Sequence, residues 1–351
     1  MKLEALIRSI PSIDSTAMTK AEARLDRLTK PLKSLGRLEE LAARYVGMTA
    51  EVQPKLPKAV IYTFAADHGI ASEGVSAYPR DVTAQMVFNF LRGGAGVNVL
   101  AAHVGADVRV VDIGVDHDFG VLPALLARKV ARGTRNFAHT EAMSEREMHD
   151  AIDVGVTLAT VAADEGVGIL GTGDMGIGNT TPSAAITAVM TGQPVECVTG
   201  RGTGIDDAGL RHKIQVIERA LAHHRPTAAE PLDVLRKVGG LEIAALAGLI
   251  VGAAARRVPI MLDGFIAGAA ALIACALAPA CREYLMASHL SVEQGHAAAL
   301  SRLRLKPLLD LDLRLGEGTG ACLGIGLVQA AIKIYTQMAT FAEAGVSERS
   351  P

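Results

Sequence analysis

Aromatic residues are scarce in this sequence, which has no tryptophan, five tyrosines and seven phenylalanines. This leaves little material for base-stacking platforms or for the aromatic belts of membrane proteins. An excess of one charge is also lacking, because 35 basic residues face 37 acidic ones. The chain therefore has no basic bias for coating nucleic acid, and its 50% hydrophobic content excludes a disordered protein. We expect small-molecule partners and no nucleic acid.

Cysteine and histidine are too scattered to suggest a disulfide framework or a metal site. The four cysteines form no C-x-x-C pair, and the ten histidines form no H-x-x-x-H pair. The N-terminus also lacks the continuous apolar stretch of a secretory signal. We therefore predict a cytoplasmic protein without a metal ion.

One uncharged stretch, from Phe265 to Cys281, is the hardest segment to place. It is shorter than the ~20 residues that a helix needs to span a bilayer, and it is rich in alanine and glycine. We interpret it as a buried core helix and predict no membrane span.

One pattern occurs six times along the chain: a short apolar run, a polar or glycine-rich turn, and a segment of helix length. Such alternation predicts a doubly wound, mostly parallel α/β sheet of Rossmann-like type, in which ligands bind beyond the carboxyl ends of the strands. The six runs are Ala59 to Phe64, Val108 to Val111, Val167 to Leu170, Val195 to Val198, Val258 to Leu262 and Tyr284 to Met286.

Both ends of the chain look helical. Residues 19–49 contain amphipathic runs interrupted by Pro31 and Gly36, and Gly320 to Ala344 has the pattern of one long helix. We predict that residues 1–54 and 301–351 form a small helical domain beside a large α/β domain of residues 55–300.

The first glycine-rich segment, GTGDMGIGNTTPS, runs from Gly171 to Ser183 and leads into a helix at Thr180. Free N–H groups at a helix start bind phosphate, although a tight structural turn has the same glycine pattern. The segment also matches the dinucleotide motif G-x-G-x-x-G, with Glu196 at about the spacing of its ribose-binding acid. We disfavour that interpretation because Glu196 would lie near the beginning of its predicted strand, far from the ligand edge.

A second glycine-rich segment, TGRGTGIDD from Thr199 to Asp207, is predicted to follow a strand and to precede a helix that carries Lys213. Two such helix starts could hold one phosphate, with Arg201 or Lys213 supplying positive charge. Neither is a Walker motif, so hydrolysis of a nucleoside triphosphate is disfavoured. Taken alone, Lys213 is more typical of a solvated helix lysine.

The third segment, LGEGTG from Leu315 to Gly320, places Glu317 among glycines ahead of the C-terminal helix. If apolar neighbours desolvate this carboxylate, it could act as a general base. Alternatively, the helix dipole alone would favour a glutamate at this position.

Two further acidic positions follow predicted strands. Asp67 and His68 fit a structural or substrate-orienting role better than metal ligation. Asp263 could meet a ribose hydroxyl or cap the next helix, and the sequence leaves both alternatives open.

Together these motifs resemble the nicotinate-nucleotide:dimethylbenzimidazole phosphoribosyltransferase family over nearly the whole chain. The resemblance implies a homodimer, a parallel-sheet domain, a small helical domain built from both termini, and no metal or redox cofactor. It rests on LDRLTKPLKSLGRLEELA from Leu25, AADHGIASEGVSAYPRDVTAQMV from Ala65, GTGDMGIGNTTPSAAI from Gly171, GRGTGIDD from Gly200, PIMLDGF from Pro259, SHLSVEQGH from Ser288 and LDLRLGEGTGA from Leu311.

The resemblance also implies a reaction and a set of site residues. Phosphoribosyl would pass from nicotinate mononucleotide to 5,6-dimethylbenzimidazole, giving α-ribazole 5′-phosphate and nicotinate in assembly of the cobalamin nucleotide loop. Glu317 matches the family's general base. The benzimidazole would lie against Tyr78, Gln85, Met175 and Leu315, of which Met175 and Leu315 could instead be core residues; the phosphate would bind at Gly176, Asn179, Thr180, Gly202 and Lys213; and Asp174 and Asp263 are further substrate-binding candidates.

The sequence departs from the family pattern at two positions. Asp174 stands where the family usually has glutamate, which keeps the charge and shortens its reach, and Lys33 stands where glycine is usual. Two other functions remain as alternatives: a nicotinamide-dependent oxidoreductase, suggested by the first glycine-rich segment, and a non-catalytic protein that binds both ligands without turnover.

Overall fold

The computed structural model describes residues 3–347 and contains a six-stranded sheet in the order β3-β2-β1-β4-β5-β6. Every strand pair in it is parallel. Residues 1, 2 and 348–351, the outermost parts of the predicted helical domain, lie outside the described residues. The strands are β1 Ala59–Ala66, β2 Ala106–Gly114, β3 Leu125–Ala127, β4 Ile169–Met175, β5 Ile260–Leu262 and β6 Leu285–Ala287, and a separate parallel pair consists of β7 His289–Leu290 and β8 Leu309–Asp310.

The centre of the sheet follows from the apolar run AVIYTFAA. All eight residues of β1 are buried, and this strand pairs with β2 on one side and β4 on the other. The strand order reverses direction between β1 and β4, and ligands bind at such a switch point in doubly wound sheets. The predicted mostly parallel α/β fold is confirmed.

Helices cover both faces of the sheet. In chain order they are α1 Leu3–Ser9, α2 Ser15–Asp26, α3 Arg37–Thr49, α4 Asp81–Leu91, α5 Gly96–Val104, α6 Glu145–Asp164, α7 Thr180–Thr191, α8 Val195–Val198, α9 Asp207–His224, α10 Pro231–Val238, α11 Leu241–Ala255, α12 Phe265–Leu277, α13 Gln294–Leu303, α14 Thr319–Gln337 and α15 Phe341–Ala344, with 3₁₀ turns at Gly69–Glu73 and Pro279–Tyr284.

The uncharged segment forms helix α12, which is buried from Phe265 through Ala274. The prediction of a core helix is therefore confirmed. Within residues 3–347, only α14 has the length and apolar composition of a membrane-crossing helix, and 56% of its most apolar window is buried inside the protein. Buried core helices of other proteins have the same length and apolar composition, so these two properties alone do not indicate a membrane span.

The helical ends of the chain pack against each other. Helix α14 contacts α2 and α3 and also reaches strands β1, β4 and β5. The Thr29 N–H donates to the Ala339 carbonyl at 3.0 Å, and the Phe341 N–H donates to the Arg27 carbonyl at 3.0 Å. Helix α14 thus connects the terminal helices to the sheet.

Three predicted elements differ from the structure. Val195–Val198 is helix α8 and not a strand, because Pro194 begins a single helical turn whose Val195 carbonyl accepts from Thr199 Oγ1 at 2.7 Å. Strand β4 begins at Ile169 and continues through Met175, so the start of the first glycine-rich segment is strand. The C-terminal helix ends at Gln337, and α15 follows as a separate turn.

Lys33, at a position where the sequence resemblance implies glycine, has a positive φ of 58°. The left-handed backbone region favours glycine, so the structure explains why glycine suits this turn. The turn survives with lysine, and Lys33 Nζ lies 3.2 Å from the Asp26 carboxylate at the surface.

Candidate active site

The Glu317 loop turns sharply at the carboxyl edge of the sheet. Gly316, Glu317 and Gly318 have successive φ values of 79°, 66° and 105°. A non-glycine residue in this region is strained, and such strain persists only where surrounding contacts hold it. Thr63 Oγ1 provides one by donating to the Glu317 carbonyl at 2.9 Å. A Cβ on Gly173 would lie 2.3 Å from that carbonyl oxygen, so glycine in β4 permits the loop to approach.

The Glu317 side chain is buried at the N-terminus of helix α5, with 5% of its surface exposed. Its Oε2 accepts from the Val97 N–H at 3.3 Å, and the helix dipole also favours a carboxylate there. Burial nevertheless raises the pKa of Glu317 above its usual value, against the opposing hydrogen bonds from Val97 and Gly96. A desolvated carboxylate of this kind is a stronger base than an exposed one.

Asp263 supports the same loop from beneath. The Gly318 N–H donates to Asp263 Oδ2 at 3.2 Å, and the Ala321 N–H donates to Oδ1 at 3.0 Å. The carboxyl group therefore caps α14, a helix distant in sequence, and not the next helix, α12. Asp263 is fully buried, and burial together with the charge of Asp174 raises its pKa to about 8.

Asp174 belongs to the first glycine-rich segment, and its side chain lies beside the Glu317 loop. Its Oδ2 accepts from Asn179 Nδ2 at 2.8 Å, and a Cβ on Gly316 would lie 3.5 Å from either carboxylate oxygen. Burial is the main cause that raises the pKa of Asp174 to about 7, with further contributions from the charges of Glu242 and Glu317. The structure thus brings Asp174, Asp263 and Glu317 to one place.

Lys213 joins the two glycine-rich loops. Its Nζ donates to Thr180 Oγ1 at 2.7 Å and to the Gly200 carbonyl at 3.2 Å. The residue is fully buried, so the interpretation as a solvated helix lysine is wrong. Burial lowers the pKa of Lys213 to about 8.

Gly202 meets this cluster from the second loop. A Cβ on Gly202 would lie 2.6 Å from Thr180 Oγ1 and 3.4 Å from Lys213 Nζ. Its φ of 52° is also in the region that favours glycine. The Gly202 N–H donates to Glu293 Oε1 at 2.9 Å, so this donor already has a protein partner. Of the predicted phosphate residues, Gly176, Asn179 and Thr180 lie on the first loop and at the start of α7, and Gly202 lies on the second loop. Lys213 lies on α9 and reaches both loops through its side chain.

The residues predicted to hold the aromatic base form the exposed rim of the candidate site. Tyr78 and Leu315 are 56% and 59% exposed, and Gln85 is exposed, whereas Met175 at the end of β4 is half-buried. A core role for Leu315 is therefore excluded. A Cβ on Gly96 would lie 2.9 Å from Leu315 Cδ2, which places Leu315 beside the site of the Glu317 carboxylate.

Hydrogen bonds connect the segments of Tyr78 and Gln85 to the glycine-rich loops. Thr203 Oγ1 accepts from the Ala77 N–H at 2.9 Å, next to Tyr78. The Ile177 N–H donates to Thr83 Oγ1 at 3.1 Å, on the helix that carries Gln85. Both segments therefore lie at the same edge of the protein as the loops.

Asp67 and His68 have structural partners. Asp67 Oδ2 accepts from the Asp116 N–H at 2.8 Å, and His68 Nε2 lies 2.7 Å from Glu242 Oε1 with both side chains fully buried. His68 packs directly beneath Gly176, where a Cβ would lie 3.0 Å from Nε2. Within residues 3–347 no group of three His, Cys, Asp or Glu side chains is arranged to hold a metal ion.

Sequence reasoning missed several groups that support the site. Thr63 and Glu242 carried no motif signal, because their roles depend on contacts with residues far away in the chain. Glu293 stands in the segment SHLSVEQGH, for which the family resemblance implies no role for this residue. Its signal is a lone acid ahead of a helix, which is too common to indicate a site.

The arrangement is that of an α/β protein with two glycine-rich turns and a buried carboxylate at the carboxyl edge of a parallel sheet. The family model DBI_PRT, described as Phosphoribosyltransferase, matches residues 10–346. The chain belongs to this phosphoribosyltransferase family, as the sequence resemblance predicted.

Individual relatives agree over nearly full length. The protein named nicotinate-nucleotide--dimethylbenzimidazole phosphoribosyltransferase from Geobacter sulfurreducens is 60% identical over 345 residues, which are 98% of each chain. Its namesake from Chloroflexus aggregans is 60% identical over 347 residues, covering 99% of this chain and 98% of the relative. The crystal structure of CobT from Thermus thermophilus superposes with a TM-score of 0.91 at 48% identity, covering 95% of this chain and 100% of that chain.

Proposed function

We propose that the chain transfers the phosphoribosyl group of nicotinate mononucleotide to 5,6-dimethylbenzimidazole, giving α-ribazole 5′-phosphate and nicotinate in assembly of the cobalamin nucleotide loop. The observation that carries this proposal is the buried Glu317 carboxylate at the same sheet edge as two glycine-rich turns. Relatives at 60% identity over nearly the full chain bear the name of this activity. Their agreement supports the substrate pair.

The chemistry needs help mainly at the incoming base. The glycosidic nitrogen of nicotinate mononucleotide is a pyridinium, so nicotinate departs without a general acid. As one ring nitrogen of dimethylbenzimidazole attacks C1′, the other becomes more acidic and gives its proton to Glu317. Attack opposite the leaving group converts the β-nucleotide into an α-ribotide.

The remaining residues position the two reactants. Lys213, Thr180 and the glycine-rich turns hold the phosphate, and Tyr78, Gln85, Met175 and Leu315 form the rim against which the base lies. Positioning of this kind contributes ~7 kcal/mol or more in favourable intramolecular reactions. Asp263 acts by capping the Glu317 loop, so its effect on the substrate is indirect.

An oxidoreductase is disfavoured by the position of Glu196. This residue is exposed on helix α8 and belongs to no strand. The first glycine-rich loop follows β4, the fourth of the six strands of the main sheet in chain order. A dinucleotide motif requires its acid at the carboxyl end of the next strand. A non-catalytic binding protein would bind both ligands without releasing nicotinate.

Glu317→Gln should keep the shape of the side chain and remove the proton acceptor. We expect kcat to fall by ~10²-fold or more while both ligands still bind, measured as nicotinate released from nicotinate mononucleotide with and without dimethylbenzimidazole. Wild-type kcat should rise with pH through the bound-state pKa of Glu317, because only the carboxylate accepts a proton, and the variant should lack this limb.

The control for Glu317 is Glu145→Gln on the exposed first turn of α6, which should behave as the wild type. If Glu317→Gln retains full turnover and the same pH profile, the assignment is wrong. A limb that survives in Glu317→Gln and disappears in Asp174→Asn would make Asp174 the proton acceptor. Nicotinate release by the wild type without a benzimidazole would contradict the transferase.

Lys213→Ala should raise the KM for the nucleotide more than the KM for the benzimidazole, because it removes the charge between the two glycine-rich loops. Nicotinate riboside, which lacks the phosphate, should be a far poorer substrate than the mononucleotide. Lys333→Ala on the exposed side of α14 is the matched control. Equal kcat/KM for the riboside and the mononucleotide would show that the protein does not recognise the phosphate.

We also propose a cytoplasmic homodimer in which the helical domain of residues 1–54 and 301–351 helps to close the site beside the α/β domain of residues 55–300. The four free cysteines support a reducing compartment. Two apolar side chains of the helical part, Leu32 and Val52, are 66% and 39% exposed, which supports a surface there that a second copy of the chain covers. Light scattering at assay concentration should give the mass of two chains, and a monomer would reject the dimer.

A further inference from the structure

A buried glutamate outside the predicted site residues holds the second glycine-rich loop. Glu293 is 6% exposed, and its Oε1 accepts from the Gly202 N–H at 2.9 Å. A Cβ on Gly200 would lie 2.2 Å from Glu293 Oε2, so this approach requires glycine at position 200. The carboxylate therefore touches the turn at two residues.

Lys213 binds the same turn from the other side. Its Nζ donates to the Gly200 carbonyl at 3.2 Å and to Thr180 Oγ1 at 2.7 Å, which belongs to the first loop. The Gly200–Gly202 turn is thus held between a buried carboxylate and a buried ammonium group. The two opposite charges lie near the same turn without forming a direct ion pair, and their attraction opposes the desolvation cost that burial imposes on each.

Glu293 is the charged side chain that opposes the effect of burial on Lys213. Burial lowers the pKa of Lys213 to about 8, and the negative charge of Glu293 raises it. The other charged groups on neighbouring elements are paired elsewhere or exposed. Arg201 pairs with Asp207, Asp233 on α10 pairs with Arg236 and Lys237, and Glu196 on α8 is exposed. Arg314 donates to the Gly202 carbonyl at 3.1 Å, and α7 contributes the Thr180 hydroxyl.

We propose that Glu293 is a positioning residue for the nucleotide phosphate, which anchors the Gly200–Gly202 turn and keeps Lys213 in its charged form. The proposal rests on the proposed function for the identity of the nucleotide. Glu293 has no contact with the reacting atoms in this scheme and acts through Lys213 and the turn. Within the part of the chain that is described, its Oε2 has no hydrogen-bond partner.

Glu293→Gln tests the charge, since the amide oxygen can still accept from the Gly202 N–H. Without the carboxylate the pKa of Lys213 falls, so the variant loses the ammonium charge at a lower pH than the wild type. Because the pKa of Lys213 is about 8 in the wild type and lower in the variant, a smaller fraction of Lys213 should be charged at pH 8 in the variant. The ratio of nucleotide KM, variant to wild type, should therefore rise between about pH 6 and about pH 9.

The readouts separate positioning from a general structural defect. kcat and the KM for dimethylbenzimidazole should stay within about twofold of the wild type, because Glu293 does not act on the base or on Glu317. Glu293→Asp, which restores the charge, should recover the wild-type pH dependence. Glu218→Gln, exposed on the same helix as Lys213, is the matched control. A ratio that does not change with pH would overturn the role of charge.

A second variant perturbs Glu293 from the side of the turn. Gly200→Ala leaves every charge in place and puts a methyl group where Oε2 now lies, so the nucleotide KM should rise at all pH values. In a Glu293→Ala background the same change should cost less, because the clash is gone. Tighter nucleotide binding in Glu293→Ala would show that the carboxylate competes with phosphate and would overturn the proposal.

Calorimetry with nicotinate mononucleotide and with inorganic phosphate tests the role of Glu293 separately from the proposed function. If the wild type binds phosphate with an affinity that depends on Glu293 but releases no nicotinate, the proposed function fails and the role of Glu293 stands. If the wild type is active and Glu293→Gln matches it in both affinities at every pH, the role of Glu293 fails and the proposed function stands.

Discussion

The site depends on the backbone turn at Gly316, Glu317 and Gly318, which directs a carboxylate into the protein. Three successive positive φ values reverse the chain ahead of α14 and put the Glu317 side chain against the start of α5. Only a well-supported loop keeps a glutamate in this conformation. The support comes from Thr63 on β1, from the space that Gly173 leaves on β4, and from the Asp263 cap.

Several buried charged groups lie at the same edge of the sheet. Each group has a specific partner: Asp174 accepts from Asn179, His68 pairs with Glu242, and Asp263 accepts backbone N–H groups. Burial raises the pKa of Asp174 to about 7 and that of Glu317 above its usual range, whereas it lowers that of Lys213 to about 8. Such opposed shifts are typical of sites that bind charged ligands and move protons.

The sequence was sufficient for the parallel sheet and for the three glycine-rich segments, because buried parallel strands are continuous apolar runs and tight turns need glycine. It was insufficient for Val195–Val198, since a short β-branched run fits a strand or one helical turn equally well. The sequence also did not predict the burial of Lys213 or the capping of α14 by Asp263. Both depend on contacts between residues far apart in the chain, which periodicity does not report.

The most direct test of the account is the titration of Glu317 itself. In protein labelled with ¹³C at the glutamate carboxyl groups, the Glu317 resonance is assigned as the signal that is missing from Glu317→Gln, and its chemical shift is followed with pH. Because burial outweighs the hydrogen bonds from α5, the account predicts a midpoint above the ordinary value of 4.5. A midpoint at or below 4.5 would contradict it, since the carboxylate would then be stabilised by α5 and would be a weaker base than an exposed glutamate.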